Sequence, residues 1–525
     1  MKLANYVYGQ WIEGAGDGIT LQDPVTGEPL VTVSSDGIDT GRALDFARRS
    51  GGPALRAHGY EARAAMLDAI AKLLAANRAE YFDIALRNSG STDADAAFDV
   101  DGAIFTLKTY ARAGKTLGAA RLLKEGARVP LAKTDAFQGQ HFLMPLTGVA
   151  VFINAFNFPA WGLWEKAAPA LLAGVPVFVK PATPTAWLTQ RMVEDVVRAG
   201  ILPEGALSIV CGSARDLLDH VEECDVVSFT GSADTAARMR THPNVVARSV
   251  RINIEADSIN SAILGPDAEP GTPEFDLAVK EIVREMTVKA GQKCTAIRRV
   301  FAPAAVARRV ADAVAAKLAG CKVGNPRNEV VRVGPLVSKA QQAAAFEGLA
   351  KLREECETVF GGDAGFEPVD AHGPLSAFVQ PTLLYCDKGL DARQVHDVEV
   401  FGPVATILPY ADAADAIALA RRGRGSLVAS VYSGDAGFLA ELVPGIADLH
   451  GRVMVVDAAV GAQHTGHGNV MPSCLHGGPG RAGGGEELGG LRALAMYHRR
   501  CVVQGGSALL DALSRDAADA ALLDA

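Results

Sequence analysis

The segment 149–179 begins with the apolar run Val149-Ala150-Val151-Phe152-Ile153 and ends with a second run, Val175-Pro176-Val177-Phe178-Val179. Between the two runs, residues 164–172 show the apolar spacing of a helix. Strands that are apolar on both faces are typical of parallel sheets that helices cover on each side. The segment therefore predicts a β-α-β unit of a doubly wound α/β sheet.

The same alternation continues after residue 179. Further strands are expected at 207–210, 226–229 and 250–254, with helices at 185–199 and 214–221 between them. This alternation of strand and helix predicts an α/β fold class with a parallel sheet.

Other parts of the chain are assigned from apolar periodicity and glycine content. A second α/β region starts near Ala262, and residues 127–144 alternate as in an extended hairpin. The remaining expectations are helices at 61–88, 94–117, 275–289, 305–318 and 507–525 and a glycine-rich loop at 461–490.

The composition narrows the class of protein. A chain of 525 residues with 49% hydrophobic residues is expected to form two or three domains. The net charge of -9 gives no reason to expect nucleic acid or an anionic membrane as partner. Eight cysteines are scattered without a CxxC pair, and the N-terminus has no apolar signal core. These features predict a reduced, cytoplasmic protein.

A candidate nucleophile lies in Gly291-Gln292-Lys293-Cys294-Thr295, between a predicted helix and a predicted strand. Cysteine is the side chain with appreciable nucleophilicity near neutral pH. A lone cysteine is more often a buried apolar filler, so the stretch alone leaves both interpretations open.

Two polar residues follow apolar strands. Asn157 could donate to a developing oxyanion or cap the next helix. Glu255 is either a general base or a surface charge at the end of a strand.

A Rossmann GxGxxG motif is absent from the first strand-helix turn, but three other features suit a dinucleotide. Lys180 ends a strand at the edge where ligands bind in such sheets. Thr230-Gly231-Ser232 allows close approach of the backbone before a helix N-terminus, and Glu399 could hold ribose hydroxyls. A solvated lysine, an ordinary β-turn and a loop acid are the alternatives.

Asn157, Thr230-Gly231-Ser232, Glu255, Cys294 and Glu399-Val400-Phe401 occur together in an order and spacing that resemble the aldehyde dehydrogenase superfamily. The resemblance covers nearly the whole chain. It extends to Gly324-Asn325-Pro326, Gly334-Pro335-Leu336, Gln380-Pro381-Thr382-Leu383 and the ending from Gly480-Arg481 to Tyr497.

The resemblance implies the aldehyde dehydrogenase fold, with three structural parts. They are a Rossmann-like cofactor domain at 1–126 and 148–256, a catalytic domain at 257–495, and a β oligomerisation element with the C-terminal tail at 127–147 and 496–525. A homodimer or a pair of dimers is implied as well.

The resemblance also implies roles for the site residues. The Cys294 thiolate attacks the aldehyde, Asn157 and the Cys294 N–H stabilise the alkoxide, and Glu255 activates water to release a free acid. Lys166 is given little weight, because its role varies in the superfamily. The implied cofactor contacts are Ile153, Ala155, Phe156, Lys180, Ala182, Thr183, Ser213, Phe229, Thr230, Gly231, Ser232, Ala256, Glu399 and Phe401.

The cofactor is expected to be NADP+ rather than NAD+. Relatives that prefer NAD+ often have a glutamate where this chain has Thr183, and Lys180 would attract a 2′-phosphate. The chain departs from the superfamily after Glu255, where Ala256-Asp257-Ser258 replaces the usual Leu-Gly-Gly.

Three stretches resemble dehydrogenases of CoA-linked semialdehydes from aerobic aromatic catabolism, including benzoate breakdown. They are residues 156–162, 255–258 and 476–487. The alternatives are a longer CoA-linked semialdehyde of phenylacetate catabolism and, in another class, a non-catalytic binding protein. The close set His464, His467, Cys474 and His476 lacks a usual zinc spacing, so no metal is expected.

Overall fold

A computed structural model describes residues 1–134, 136–213, 216–363, 365–371 and 376–524. The first two residues of the predicted helix at 214–221 lie outside this range. Within it, Leu217–His220 forms a short 3₁₀-helix. None of the described helices is both long and apolar enough to cross a membrane.

The described residues form twenty-two strands, numbered β1 to β22. In chain order these are Ala4–Val7, Gln10–Glu13, Ile19–Gln22, Pro29–Val33, Leu122–Pro130, Gln138–Pro145, Ala150–Ile153, Val177–Lys180, Leu207–Ile209, Val226–Thr230, Arg251–Glu255, Asn260–Leu264, Ile297–Pro303, Glu357–Phe360, Thr382–Tyr385, Val404–Tyr410, Ser426–Tyr432, His450–Val456, Leu475–Gly477, Glu486–Leu488, His498–Gly505 and Ala517–Asp519.

The same residues form sixteen α-helices, numbered α1 to α16. In chain order these are Thr40–Phe46, Gly52–Arg56, Tyr60–Ala76, Arg78–Ser89, Asp93–Lys115, Trp161–Ala173, Ala186–Arg198, Ala233–Arg240, Pro243–Arg248, Pro273–Thr287, Ala307–Ala319, Lys339–Arg353, Gln394–Asp397, Ala413–Arg421, Ala436–Ala447 and Ser507–Ser514.

The first sheet confirms the prediction of a doubly wound parallel sheet. Its strand order is β11-β10-β7-β8-β9-β1-β2, and β7 to β11 run parallel. Phe152 and Val179 pack into a core with helices α3, α5 and α6, whereas Val151 and Phe178 face a second core with α1. Successive side chains of a strand point to opposite faces, so both faces of these strands are buried.

The second sheet has the order β14-β15-β16-β13-β12-β17-β18. All its neighbouring strands are parallel except β14, which pairs antiparallel with β15 at the edge. Helices α10 and α11 cover one face, and α12, α14 and α15 cover the other. The second predicted α/β region is therefore confirmed.

The third sheet has the order β21-β6-β5-β22 and contains the predicted hairpin. Strand β5 begins at Leu122, before the predicted boundary at residue 127. The domain boundaries themselves stay predictions.

Three expectations about local structure were wrong. The predicted tail helix at 507–525 ends at Ser514, and Ala517–Asp519 instead forms β22 beside β5, because that strand has a free edge to pair with. The predicted helix at 61–88 is interrupted at Asn77. The predicted loop at 461–490 contains the short hairpin β19–β20.

Candidate active site

A cavity of about 460 Å³ lies between the two seven-stranded sheets and brings most of the predicted site residues together. The predicted residues in its wall are Ala155, Phe156, Asn157, Ala182, Phe229, Thr230, Gly231, Ser232, Glu255, Ala256, Cys294, Glu399 and Phe401. A second, narrower cavity of about 50 Å³ shares Asn157, Glu255 and Cys294 and extends to Phe158 and Trp161.

Parallel strand order explains why distant residues meet here. In the register of the first sheet, Ile153 lies opposite Lys180 and Phe229, and Thr230 lies opposite Glu255. The carboxyl ends of these strands therefore form one edge, which is where ligands bind in open α/β sheets.

Four predicted cofactor residues are not in the cavity wall: Ile153, Lys180, Thr183 and Ser213. Lys180 lies at the same strand edge, and burial lowers its pKa. Thr183 starts a 3₁₀-turn just beyond that edge. Ser213 is exposed and accepts a hydrogen bond from Ser35 through its carbonyl.

Cys294 follows a turn of three consecutive residues with left-handed backbone. Lys289 and Ala290 have φ of 52°, and Gly291 has φ of 70°. Gly291 is required here, because a Cβ at this position would lie 2.3 Å from the carbonyl oxygen of Gly402. Left-handed backbone is strained for lysine and alanine, so surrounding contacts must hold the turn.

Two buried side chains supply those contacts. The Asp95 carboxylate accepts a hydrogen bond from the Lys289 N–H at 2.7 Å. The Arg298 guanidinium donates to the carbonyls of Gly291 at 2.9 Å and Gly402 at 2.6 Å. Asn260 also donates to the Cys294 carbonyl at 2.7 Å. The backbone on both sides of the thiol is therefore fixed.

The loop that carries Asn157 is held separately. Thr185 donates to the Phe156 carbonyl at 2.9 Å, and Asp99 accepts from the Trp161 N–H at 2.7 Å. Helix α6 begins at Trp161, so the alternative that Asn157 caps this helix was wrong. Asn157 is buried in the wall of both cavities that contain Cys294.

Glu255 is buried, so the alternative of a surface charge was also wrong. Its Oε2 lies 3.3 Å from Nε2 of His476. Burial acts to raise the pKa of this carboxyl, but the His476 imidazole and the Lys166 ammonium lower it to about 2. The Glu255 carboxylate in turn raises the pKa of His476, although burial alone would lower that pKa.

The pKa of the Cys294 thiol is shifted in the opposite direction to that of Glu255. Burial raises its pKa well above the ordinary value, and the Glu255 carboxylate raises it further. The thiol is therefore neutral at rest and lies next to an ionised carboxylate.

A buried ionic cluster forms the floor of the narrower cavity. The Lys166 ammonium lies 2.9 Å from both Glu165 and Glu487. Burial alone would lower the pKa of Lys166, but the two carboxylates raise it. Burial raises the pKa of Glu487 to about 7, and the Lys166 ammonium opposes this rise. Lys166 therefore belongs to the group of charged residues at the narrower cavity.

The altered turn after Glu255 has defined contacts. Asp257 accepts a hydrogen bond from the Ala233 N–H at 3.0 Å, at the start of helix α8. The Ser258 N–H donates to Glu399 at 3.1 Å. Burial raises the pKa of Glu399 to about 7. This turn therefore positions Glu399 at the edge of the larger cavity.

Among the described residues, four buried side-chain oxygens in the wall of the larger cavity have no hydrogen-bond partner. They are Asn154 Oδ1, Thr230 Oγ1, Glu255 Oε1 and Glu399 Oε1. Buried polar atoms without partners are costly, so these atoms fit a polar ligand that supplies hydroxyl or amide groups.

The contact between His476 and Glu255 was not predicted from the sequence. His476 was grouped with His464, His467 and Cys474, but among the described residues only Glu255, Cys294 and His476 form a compact set of three possible metal ligands. His467 is buried and hydrogen-bonded to Ser430 instead. No local pattern could reveal this contact, because it joins strand β11 to the hairpin β19–β20.

The model of the Aldehyde dehydrogenase family matches residues 11–491. The chain is 84% identical, over 91% of its length and 93% of the relative's, to a 3,4-dehydroadipyl-CoA semialdehyde dehydrogenase from Aromatoleum evansii.

Solved structures show the same fold. A 3,6-anhydro-L-galactose dehydrogenase in complex with NAP has a TM-score of 0.84 and 22% identity, covering 96% of this chain and 100% of that one. A point mutant of betaine aldehyde dehydrogenase from Staphylococcus aureus in complex with NAD+ has a TM-score of 0.82 and 23% identity, covering 96% of each chain. These neighbours hold dinucleotides within the same fold.

Replacement of Asp95 by alanine should lower kcat by about tenfold or more, because the buried Lys289 N–H loses its acceptor and the strained turn relaxes. Steady-state turnover and the rate of Cys294 alkylation would measure the effect. Thr92→Ala is the matched control, since Thr92 bonds the other oxygen of Asp95 in a helix cap. Equal loss of turnover in both variants would assign the effect to the helix cap.

Proposed function

Because the chain belongs to the aldehyde dehydrogenase family, we propose that it is an NADP+-dependent, non-acylating enzyme for a CoA-linked aliphatic semialdehyde. The proposed substrate is 3,4-dehydroadipyl-CoA semialdehyde, oxidised to the carboxylic acid in aerobic benzoate catabolism. The identity of 84% with the relative of that name supports this substrate.

One observation carries the proposed chemistry. Cys294, Glu255 and Asn157 share the walls of two connected cavities, one large and one narrow. The larger cavity has the unpartnered polar atoms that a dinucleotide would satisfy, and the narrow one has the aromatic walls that suit an aliphatic chain. The aldehyde and the cofactor would therefore meet at Cys294.

In the first half of the reaction, Glu255 takes the proton of the Cys294 thiol, and the sulfur attacks the aldehyde carbon. The carbonyl oxygen becomes an alkoxide that accepts hydrogen bonds from the Asn157 carboxamide and the Cys294 N–H. Bound NADP+ supplies the acceptor for the hydride that leaves this carbon. A thioester to Cys294 remains.

Glu255 then releases to solvent the proton that it took from the thiol. In the second half, the ionised Glu255 takes a proton from water, and the hydroxyl oxygen attacks the thioester carbon. The acid leaves, and Cys294 recovers a proton. Glu255 must be ionised for both steps, and its low pKa next to His476 supports this state. Acylating enzymes would transfer the acyl group to free CoA and need no such base.

Glu399, Lys180 and Thr183 are assigned to the cofactor. Glu399 has an unpartnered oxygen for ribose hydroxyls, and Phe401 stacks edge-on against Phe156 with centroids 5.6 Å apart. Lys180 ends strand β8 at this edge and Thr183 begins the 3₁₀-turn after it, so neither position carries a carboxylate that would repel a 2′-phosphate. NADP+ is therefore preferred to NAD+.

A homodimer or pair of dimers is proposed for the third sheet. Strand β21 is its edge, and Val129, Met144 and Val502 of this sheet are 40–44% exposed. An open edge with exposed apolar residues favours pairing with a second copy.

Eight free cysteines and no disulfide among the described residues favour a reducing compartment such as the cytoplasm.

The substrate experiment measures NADPH formation with 3,4-dehydroadipyl-CoA semialdehyde and with the longer phenylacetate-type semialdehyde. We expect a higher kcat/KM for the former and a free carboxylate that carries one oxygen from labelled water. Cys294→Ala should abolish turnover, whereas Cys474→Ala, another free cysteine, should retain it.

Glu255→Gln extends this experiment, because it should accumulate the acyl thioester on Cys294, visible by intact mass. No turnover with any aldehyde would favour a binding protein on the same fold. A higher kcat/KM for the longer substrate would favour phenylacetate catabolism.

Thr183→Glu should weaken NADP+ binding by at least about tenfold and leave NAD+ binding nearly unchanged, because the new carboxylate repels a 2′-phosphate. Dissociation constants from quenching of tryptophan fluorescence would measure both effects. Thr183→Gln has similar size without charge and should keep the wild-type preference. An unchanged ratio in Thr183→Glu would place the 2′-phosphate elsewhere.

Dinucleotide affinity should also depend on pH through Glu399. Ribose hydroxyls donate to the ionised carboxylate, so affinity is complete above the pKa of about 7 and falls as the pH drops below it. Between pH 8 and pH 6 we expect the dissociation constant to rise by about tenfold more than in Glu399→Gln. Parallel curves for the two proteins would remove Glu399 from the ribose site.

A further inference from the structure

We propose that Cys294, Glu255 and His476 also form a binding site for a zinc-type divalent cation, and that its occupation reversibly inhibits the enzyme. Thiolate, carboxylate and imidazole are the three ligand types of protein zinc sites. In the part of the chain that the structure describes, the ligand atoms of these residues lie within 4.8 Å of one another.

The spacing is compatible with tetrahedral coordination. Bonds of about 2.0–2.3 Å from zinc to nitrogen, oxygen and sulfur place neighbouring ligand atoms about 3.3–3.7 Å apart. Nε2 of His476 and Oε2 of Glu255 are already 3.3 Å apart. The three ligand atoms lie within 4.8 Å of one another, and all three residues line the narrower cavity.

A second observation points to a cation at the same place. The buried Oε1 of Glu255 accepts no hydrogen bond within normal geometry. A cation held by the three ligand atoms would give this free oxygen a partner and would take the place of any proton on His476.

Binding would involve no change of oxidation state. Zinc would bond to sulfur, oxygen and nitrogen, and the thiol proton and any proton on Nε2 would pass to solvent. The metal would then occupy the sulfur lone pair that attacks the aldehyde and the carboxylate that serves as base. Inhibition should therefore compete with the aldehyde, and removal of the metal by a chelator should restore turnover.

The first test is inhibition of the purified enzyme by Zn²⁺, followed by reversal with EDTA. His476→Phe should raise the half-inhibitory concentration by at least about tenfold relative to its own uninhibited rate, because changes beyond the ligands alone already cost about 10–100-fold in metal affinity. His464→Phe is the matched control, since His464 lies outside the compact set, and should keep the wild-type value.

The second test uses Co²⁺ and does not depend on turnover or on the substrate. Titration of the wild-type chain should give a thiolate-to-cobalt charge-transfer band at one equivalent, with the intense visible bands of four-coordinate cobalt. Cys294→Ser should lose the charge-transfer band, and His476→Phe should weaken binding. Retained dinucleotide binding would show that both variants are folded.

Two results would overturn the proposal. One is equal Zn²⁺ inhibition of the wild type and His476→Phe, which would indicate simple binding to the thiol. The other is a cobalt spectrum without a thiolate band in the wild type. An enzyme inactive on CoA-linked semialdehydes would still give the cobalt result, so this proposal and the substrate assignment fail separately.

Discussion

The left-handed turn at 289–291 is the constraint on which the catalytic arrangement depends. Its strain is local, but the groups that hold it come from both halves of the molecule: Asp95 from helix α5 and Arg298 from strand β13. Helix α5 also fixes the loop of Asn157 through Asp99. One helix therefore sets the relative positions of the proposed nucleophile, Cys294, and the proposed oxyanion donor, Asn157, although neither residue belongs to it.

Electrostatic interactions among the buried groups then determine which of them is ionised. Glu255 and Cys294 lie close together, and the Glu255 carboxylate makes ionisation of the thiol less favourable. His476 and a hydrogen bond from the thiol both lower the pKa of Glu255, so the resting pair is an anion beside a neutral thiol. The same closeness of thiol, carboxylate and imidazole is what makes the centre open to a metal.

The larger cavity, which is proposed to hold the cofactor, has buried polar atoms in its wall. Asn154, Thr230 and Glu399 keep polar atoms without partners, which costs stability in the unliganded protein. A ligand with hydroxyl and amide groups would recover that cost on binding. The unusual turn at 256–258 belongs to this side as well, because its backbone and side chain hold Glu399 and helix α8.

The sequence by itself determined the α/β class, the parallel sheets and the positions of Cys294, Glu255 and Asn157 at loop or strand ends. Continuous apolar runs and helical apolar spacing are local properties, so they can be recognised in the sequence. Tertiary structure alone decided that β22 completes the third sheet and that His476 faces Glu255. It also decided that the N–H of Trp161 at the start of helix α6 is bonded by Asp99 and not by Asn157. These contacts join segments far apart in sequence, and their energies come from burial and charge pairing that appear only when the sheets pack together.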